Sequence, residues 1–370
     1  MGVTPRDGTG AEPRDEAPQV PEAKEPTSTR GSALKRVTER AQEATQAFGR
    51  LGASGPVSAP GPSLQGPIAL LFPGQGVQRP GMGRKLYDRY PAAQRVFERA
   101  EAVLDMPVRR LCFDGPEEEL NRTDVLQPCV LTVCWAAYEV YREHYGMEHV
   151  SVMAGHSLGE IAALAAAGSL PWETALLLVK ERGRIMAQAA AERPGGMIAI
   201  VGLDETQVEA IRAQASQAGS LWVANRNADV QFVLSGEVPA VQEAERLALA
   251  AGARRALILT IPLPAHTPLM EHAAAAFRAL VEKLQLRRPS LPVLANASGE
   301  AMRTVAALRQ ELSQHLLRPV DWARTMVSLE SMKVKTVVEL GPGRVLASLA
   351  AKHIPGVDTW NADELLIDFA

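Results

Sequence analysis

The sequence predicts an α/β fold: a mostly parallel sheet covered on both faces by helices and interrupted by a smaller antiparallel unit. Three observations carry this. Short apolar, β-prone runs ("PIALLF", "HVSVMAG", "TVVEL") alternate with helical patterns between residues 67 and 355. Several of these runs end directly in glycine turns. Residues 195–262 break the rhythm with a pattern of their own. A chain of 370 residues is long enough to bury a large core and to form more than one domain.

Taken in order, residues 1–66 are rich in proline and small polar residues and have balanced charge. They are too poor in apolar residues for a core and are expected to be a disordered tail, with a short helix read over 33–52. The first part of the core is expected over 67–194. "PIALLFPGQG" reads as a buried strand entering a glycine turn, and helical patterns follow at 82–105 and 117–145. A strand then leads into a turn and a helix around Ser157, and another helix covers 172–192. Over 195–262 the order is strand "MIAIVGL", helix 204–219 with Asp204 as its cap, strands "LWVANRN" and "VQFVLSG", helix 238–252, and strand "RRALILT". That order, βαββαβ, is a ferredoxin-like split unit inserted into the core. The core resumes over 263–358, with helices at 268–285, 303–317 and 322–332, the strand "LPVLANA", and the strand-turn-helix "TVVELGPGRVLASLA". Residues 359–370 are read as a second tail.

The composition excludes several function classes. The hydrophobic fraction is 46% and the charged fraction 22%, both ordinary for a globular protein. A net charge of −3 without a basic stripe speaks against nucleic-acid binding. No apolar run reaches membrane-spanning length, and no leader pattern opens the chain. The three cysteines, Cys112, Cys129 and Cys134, form no CxxC pair. They suit neither a disulfide framework nor a zinc site, and read as buried thiols in a reducing cytoplasm.

The chemistry concentrates in "MAGHSLGEIAALAAAG". Ser157 sits between a strand and a helix in a G-x-S-x-G turn, where Gly155 and Gly159 permit a tight bend. Its hydroxyl is expected in the open at a helix N-terminus, which favours negative charge. The pentapeptide alone also fits a glycine turn with an incidental serine. A nucleophilic serine needs a base in fixed placement. Of the seven histidines, His266 in "IPLPAHTPLM" lies in a rigid, proline-flanked loop. Gln75 in "PGQG" is either an oxyanion donor or a tie for its own loop. On the 172–192 helix, Arg182 shares a face with Ala175, Leu178, Val179, Ile185, Met186 and Ala189, whereas Arg184 shares one with Lys180 and Glu181. A guanidinium in an apolar stripe requires an anion, which is either a protein carboxylate or that of a substrate.

Six motifs in order, "LLFPGQGVQRPGMGRKLYDRYP", "GHSLGE", "KERGRIMAQ", "PLPAHTPLM", "RPVDW" and "ELGPGRVL", make residues 67–355 similar to the malonyl-CoA:acyl carrier protein transacylases and the related acyltransferases of polyketide synthases. The resemblance implies a hydrolase-like core with an inserted ferredoxin-like subdomain. It implies Ser157 as acyl-carrying nucleophile, His266 as base, Arg182 as the receptor of the malonyl carboxylate, and Gln75 with the backbone N–H of Leu158 as oxyanion hole. It also implies a backbone carbonyl that orients the histidine. That position often carries glutamine in the family and aligns here with His315. Malonyl-CoA and an acyl carrier protein are the implied partners and a monomer the expected state. Neither metal nor organic cofactor is called for, and the pathway is that of fatty acids or polyketides. The tripeptide "LPA" before His266 is closest to the free-standing enzymes, and Leu158 is typical of malonyl users. The alternatives are a methylmalonyl transferase, an acyl hydrolase of the same fold, and a non-catalytic module that docks carrier protein.

Overall fold

The computed structural model describes residues 1–2, 62–260 and 263–368. The helix read over 33–52, and the tail read over 1–66 apart from its ends, lie outside the described residues. At 62–66 the chain is already anchored. Leu64 packs on the core, and Thr336 Oγ1 donates to the carbonyl of Gln65 at 2.6 Å.

Strand β1 (Ile68–Phe72) is followed by α1 (Arg84–Arg89), α2 (Pro91–Leu104), α3 (Val108–Phe113), α4 (Glu117–Leu120) and α5 (Thr123–Tyr145). The pattern read as one helix over 82–105 is broken because Tyr90 precedes a proline and adopts extended geometry, with Pro91 opening the next helix. Next come β2 (Val150–Gly155), α6 (Leu158–Ala166) and α7 (Trp172–Glu192), the last with the limits read from its sequence. The insertion runs β3 (Gly196–Val201), α8 (Glu205–Ala215), β4 (Leu221–Ala228), β5 (Gln231–Gly236), α9 (Val238–Ala250) and β6 (Arg255–Ile258). The Asp204 side chain accepts from the N–H of Gln207, whose own side chain returns the bond, which makes a capping box. The remainder is α10 (Glu271–Val281), β7 (Val293–Leu294), β8 (Ala301–Met302), α11 (Val305–Gln314), β9 (Val320–Asp321), α12 (Trp322–Ser331), β10 (Thr336–Glu339), α13 (Val345–His353) and β11 (Asp358–Asn361).

The core sheet has the order β11-β10-β1-β2-β7-β8 and is parallel except for β8. Its central strand β1 is buried on both faces. Ile68, Leu70 and Phe72 enter one apolar cluster, and Ala69 and Leu71 enter the other, as a period of two requires. The inserted strands run antiparallel in the order β6-β3-β5-β4, the arrangement of a ferredoxin-like split unit. A core strand then joins that sheet: β9 pairs parallel to β4, Asn225 with Val320 and Arg226 with Asp321.

Residues 359–370 are not a tail as far as they are described. β11 pairs with β10 through Thr336–Asp358 to Glu339–Asn361 and forms the edge of the core sheet. Ala362, Leu365 and Leu366 are buried, and the Tyr90 hydroxyl donates to the carbonyl of Leu366. Burying these side chains, at about 1.5–3 kcal/mol for each leucine, outweighs the polar character of the segment.

Candidate active site

The turn after β2 places Ser157 at φ 48, ψ −115. The strain of the bend therefore falls on the serine itself, at a cost on the order of 1–3 kcal/mol. The neighbouring glycines serve a different purpose from the one read in the sequence. A Cβ on Gly155 would lie 2.0 Å from the carbonyl of Gly159, and one on Gly159 would lie 2.0 Å from the carbonyl oxygen of Phe72. They allow helix α6 to press against the ends of β1 and β2. Asn296, just beyond β7, holds the turn from the other side. Its Oδ1 accepts from Ser157 N at 2.6 Å, its Nδ2 donates to the carbonyl of Gly155 at 2.7 Å, and its own N–H is accepted by Glu160 at 2.9 Å.

His266 meets the serine from the proline loop: Nε2 lies 2.9 Å from Ser157 Oγ. Its Nδ1 lies 3.0 Å from the carbonyl oxygen of Arg318. A carbonyl only accepts, so Nδ1 carries the proton and the Nε2 lone pair faces the hydroxyl. Burial, and then the charge of Arg182, push the imidazole well below its usual pKa and keep it neutral.

The orienting carbonyl is that of Arg318, which corrects the expectation for His315. His315 still has helical geometry at the end of α11, and the chain draws level with His266 only three residues later. The His315 side chain turns into the site instead, where its Nδ1 receives Arg182 Nε at 3.3 Å.

Arg182 is 1% exposed. Its Nη1 donates to Gln127 Oε1 at 2.8 Å and its Nη2 to Ser157 Oγ at 3.1 Å. Burial lowers its pKa to about 10, opposed by the charge of Glu160. Arg184 is exposed and pairs with Glu181 at 2.9 Å, as the helix phase predicts. Gln75 and Ser157 line one cleft of about 220 Å³ with Arg182 and His266, and the insertion contributes Met197 and Asn225 to its far wall. Leu158 opens α6, so its N–H belongs to the first helical turn. His156 bonds Asn227 of the insertion at 2.9 Å.

Sequence reasoning passed over Asn296, Gln127, Glu160 and the side chain of His315. Gln127 and Glu160 carried a usable signal. Each is a lone polar group in an otherwise apolar helical run, "VLQPCVLTV" and "GEIAALAAAG", the same mark that singled out Arg182.

A strained serine between a parallel strand and a helix, with a neutral imidazole on its hydroxyl, defines the class: α/β proteins equipped for acyl chemistry at a serine. The chain matches the family described as acyl transferase domain over residues 69–361, and it belongs to that family. It is 37% identical over 286 residues to the malonyl CoA-acyl carrier protein transacylase of Bacillus subtilis (strain 168), covering 77% of this chain and 90% of that protein. The transacylase of Escherichia coli (strain K12) is 36% identical over 298 residues, 80% of this chain and 95% of the relative. Among solved structures, the acyl carrier protein S-malonyltransferase of Vibrio cholerae O1 superposes with a TM-score of 0.75 at 34% identity, covering 80% of this chain and 96% of that one. A malonyl-transacylase in complex with a holo type II polyketide-synthase acyl carrier protein gives 0.75 at 36% identity, with 79% and 94% covered. Among the described residues no helix is long and apolar enough to cross a membrane.

Proposed function

We propose that the chain transfers the malonyl group of malonyl-CoA to the phosphopantetheine thiol of an acyl carrier protein through an acyl-serine. The observation that carries the reading is the double engagement of Ser157 Oγ, by His266 Nε2 at 2.9 Å and by Arg182 Nη2 at 3.1 Å. It sets a receptor for a carboxylate beside an activated hydroxyl.

His266 takes the hydroxyl proton as Oγ attacks the thioester carbon. A positioned base of this kind contributes about 10²–10⁴-fold. The tetrahedral oxyanion is stabilised by the N–H of Leu158 and by Gln75, at about 10²–10³-fold per donor. The carbon–sulfur bond breaks, and His266 returns the proton to the departing CoA thiolate. The carrier thiol then repeats the steps in reverse, and the serine is regenerated. Arg182 holds the free carboxylate of the acyl group in two-pronged fashion. Atoms and electrons balance without a metal or redox group. The cytoplasm is the proposed compartment, a setting in which the buried free thiols of Cys112, Cys129 and Cys134 stay reduced.

The test is intact-protein mass spectrometry after brief exposure to malonyl-CoA. One malonyl adduct is expected on the wild type and none on Ser157→Ala, and discharge should require holo carrier protein rather than water. An adduct that survives in Ser157→Ala would sink the assignment, and rapid discharge by water would make the chain a hydrolase.

A further inference from the structure

The imidazole of His315 lies between the buried side chains of Arg182 and Glu160. Its Nδ1 receives Arg182 Nε at 3.3 Å, and its Nε2 is 3.1 Å from Glu160 Oε2. An arginine Nε–H can only donate, so Nδ1 carries the lone pair and Nε2 carries the proton. A second proton on the ring would set two cations side by side in a dry pocket. Burial and the Arg182 charge accordingly lower the His315 pKa to about 3. The ring is a neutral acceptor over the whole working range of pH. It is also fixed in place, stacked on Phe277 with centroids 6.2 Å apart and planes at 30°.

The guanidinium is thus held at three points by Gln127, Ser157 and His315. Acylation of the serine turns its hydroxyl into an ester and weakens one of them. Gln127 and His315 then remain to set the plane in which both Nη groups face the acyl chain. A bidentate contact depends on that plane, because a small rotation about the last side-chain bonds spoils both prongs together.

We propose that His315 is a positioning residue for substrate choice: its Nδ1 fixes the plane of the Arg182 guanidinium for a carboxylate-bearing acyl group. The inference rests on the malonyl reading above. It differs from the role that the resemblance implies for this position, a backbone carbonyl that orients the catalytic histidine.

The test measures kcat and KM for malonyl and acetyl transfer from CoA to holo carrier protein. The proteins are the wild type, His315→Phe, His315→Asn, Arg182→Ala, and Arg182→Ala combined with His315→Phe. Phenylalanine keeps the ring on Phe277 and removes the acceptor. Malonyl kcat/KM is expected to fall about ten- to a hundredfold, mostly through KM, the range for loss of a hydrogen bond to a charged group. Acetyl transfer should stay within about threefold, since an acyl group without a carboxylate makes no use of the fork. Asparagine places an amide oxygen near the Nδ1 position and should keep the malonyl-to-acetyl ratio within about threefold of wild type. In the Arg182→Ala background His315→Phe should not change the ratio further. The inference is overturned if His315→Phe lowers both substrates equally, leaves the ratio unmoved, or changes it equally without Arg182. If His315→Phe does not fold by circular dichroism, His315→Leu takes its place, and loss of the ratio in a folded His315→Asn would by itself overturn the proposal. An inert wild type would overturn the functional reading and this inference with it, whereas an active wild type with an unmoved ratio overturns this inference alone.

Discussion

Asn296 and Ser157, 139 positions apart in the chain, are joined by a 2.6 Å hydrogen bond from the serine N–H to the asparagine Oδ1. The same amide also ties the carbonyl of Gly155. One side chain therefore holds both ends of a turn whose central residue is strained. Asn296→Ala leaves an N–H and a carbonyl in a buried place without these partners, at about 1–3 kcal/mol each. We expect a loss of stability of roughly 2–6 kcal/mol and slower serine acylation. Urea unfolding monitored by circular dichroism checks the first and single-turnover mass spectrometry the second. An unchanged unfolding midpoint would refute the anchoring role.

Gly159→Ala should be worse. The added carbon would lie 2.0 Å from the carbonyl oxygen of Phe72, a backbone atom of the central strand that cannot step aside. Gly168→Ala makes a useful contrast: nothing lies near its added carbon, and the cost there comes from its positive φ of 74 alone, on the order of 1–2 kcal/mol. The expected result is little or no folded Gly159→Ala beside a folded but weakened Gly168→Ala. Equal yields and melting temperatures would show that α6 can draw back from the sheet.

Arg182 and Arg184 stand two positions apart and face opposite ways. Truncating one partner of a buried charge pair costs about 2–5 kcal/mol, which is roughly one and a half to three and a half orders of magnitude in rate or affinity. Arg182→Ala should lower malonyl transfer by that factor and leave acetyl transfer equal or improved. Arg184→Ala removes only an exposed pair with Glu181 and should change neither by more than about twofold. The ratio of kcat/KM values for the two acyl-CoA substrates decides. A reversal of preference in Arg184→Ala would mean that the wrong arginine has been assigned.

Glu339 ends β10, buried, with its Oε2 accepting Ala347 N at 2.9 Å at the start of α13. Burial raises its pKa to about 7, against the pull of the helix N–H groups. The unfolded chain ionises this group near pH 4.5 and the folded chain only near 7, so between those values the unfolded state has released a proton that the folded state still holds. The contribution is full below pH 4.5 and is lost as pH rises to about 7, by on the order of 3 kcal/mol. Glu339→Gln cannot ionise and lacks that slope. Urea midpoints at pH 5 and pH 8 should shift in favour of the variant as pH rises. Parallel behaviour of the two proteins would contradict the assignment.

Much of the fold was legible because it rests on local regularities. The buried strand β1, the cap at Asp204, and the apolar face that carries Arg182 are all written within a few residues of each other. What escaped is long-range. Asn296 reads as the end of a strand, and only its approach to a turn far away in sequence gives it a task. β9 is two residues long, too short for any period, and α3 is a six-residue run of mixed character. The edge strand β11, "DTWN", has the polar composition of a tail, and the apolar residues that seat the segment, Ala362, Leu365 and Leu366, come only after it. The orienting carbonyl could not be read at all, since every residue offers one and only the path of the chain after α11 selects that of Arg318.

The short β9–β4 pairing and the His156–Asn227 bond fasten three successive residues of β4, a strand of the insertion, to the core beside the cleft. Swinging the insertion outward like a jaw would tear both together. Any such widening of the gap above Ser157 costs both contacts. A guest too broad for the standing cleft would have to break them before it could reach the serine.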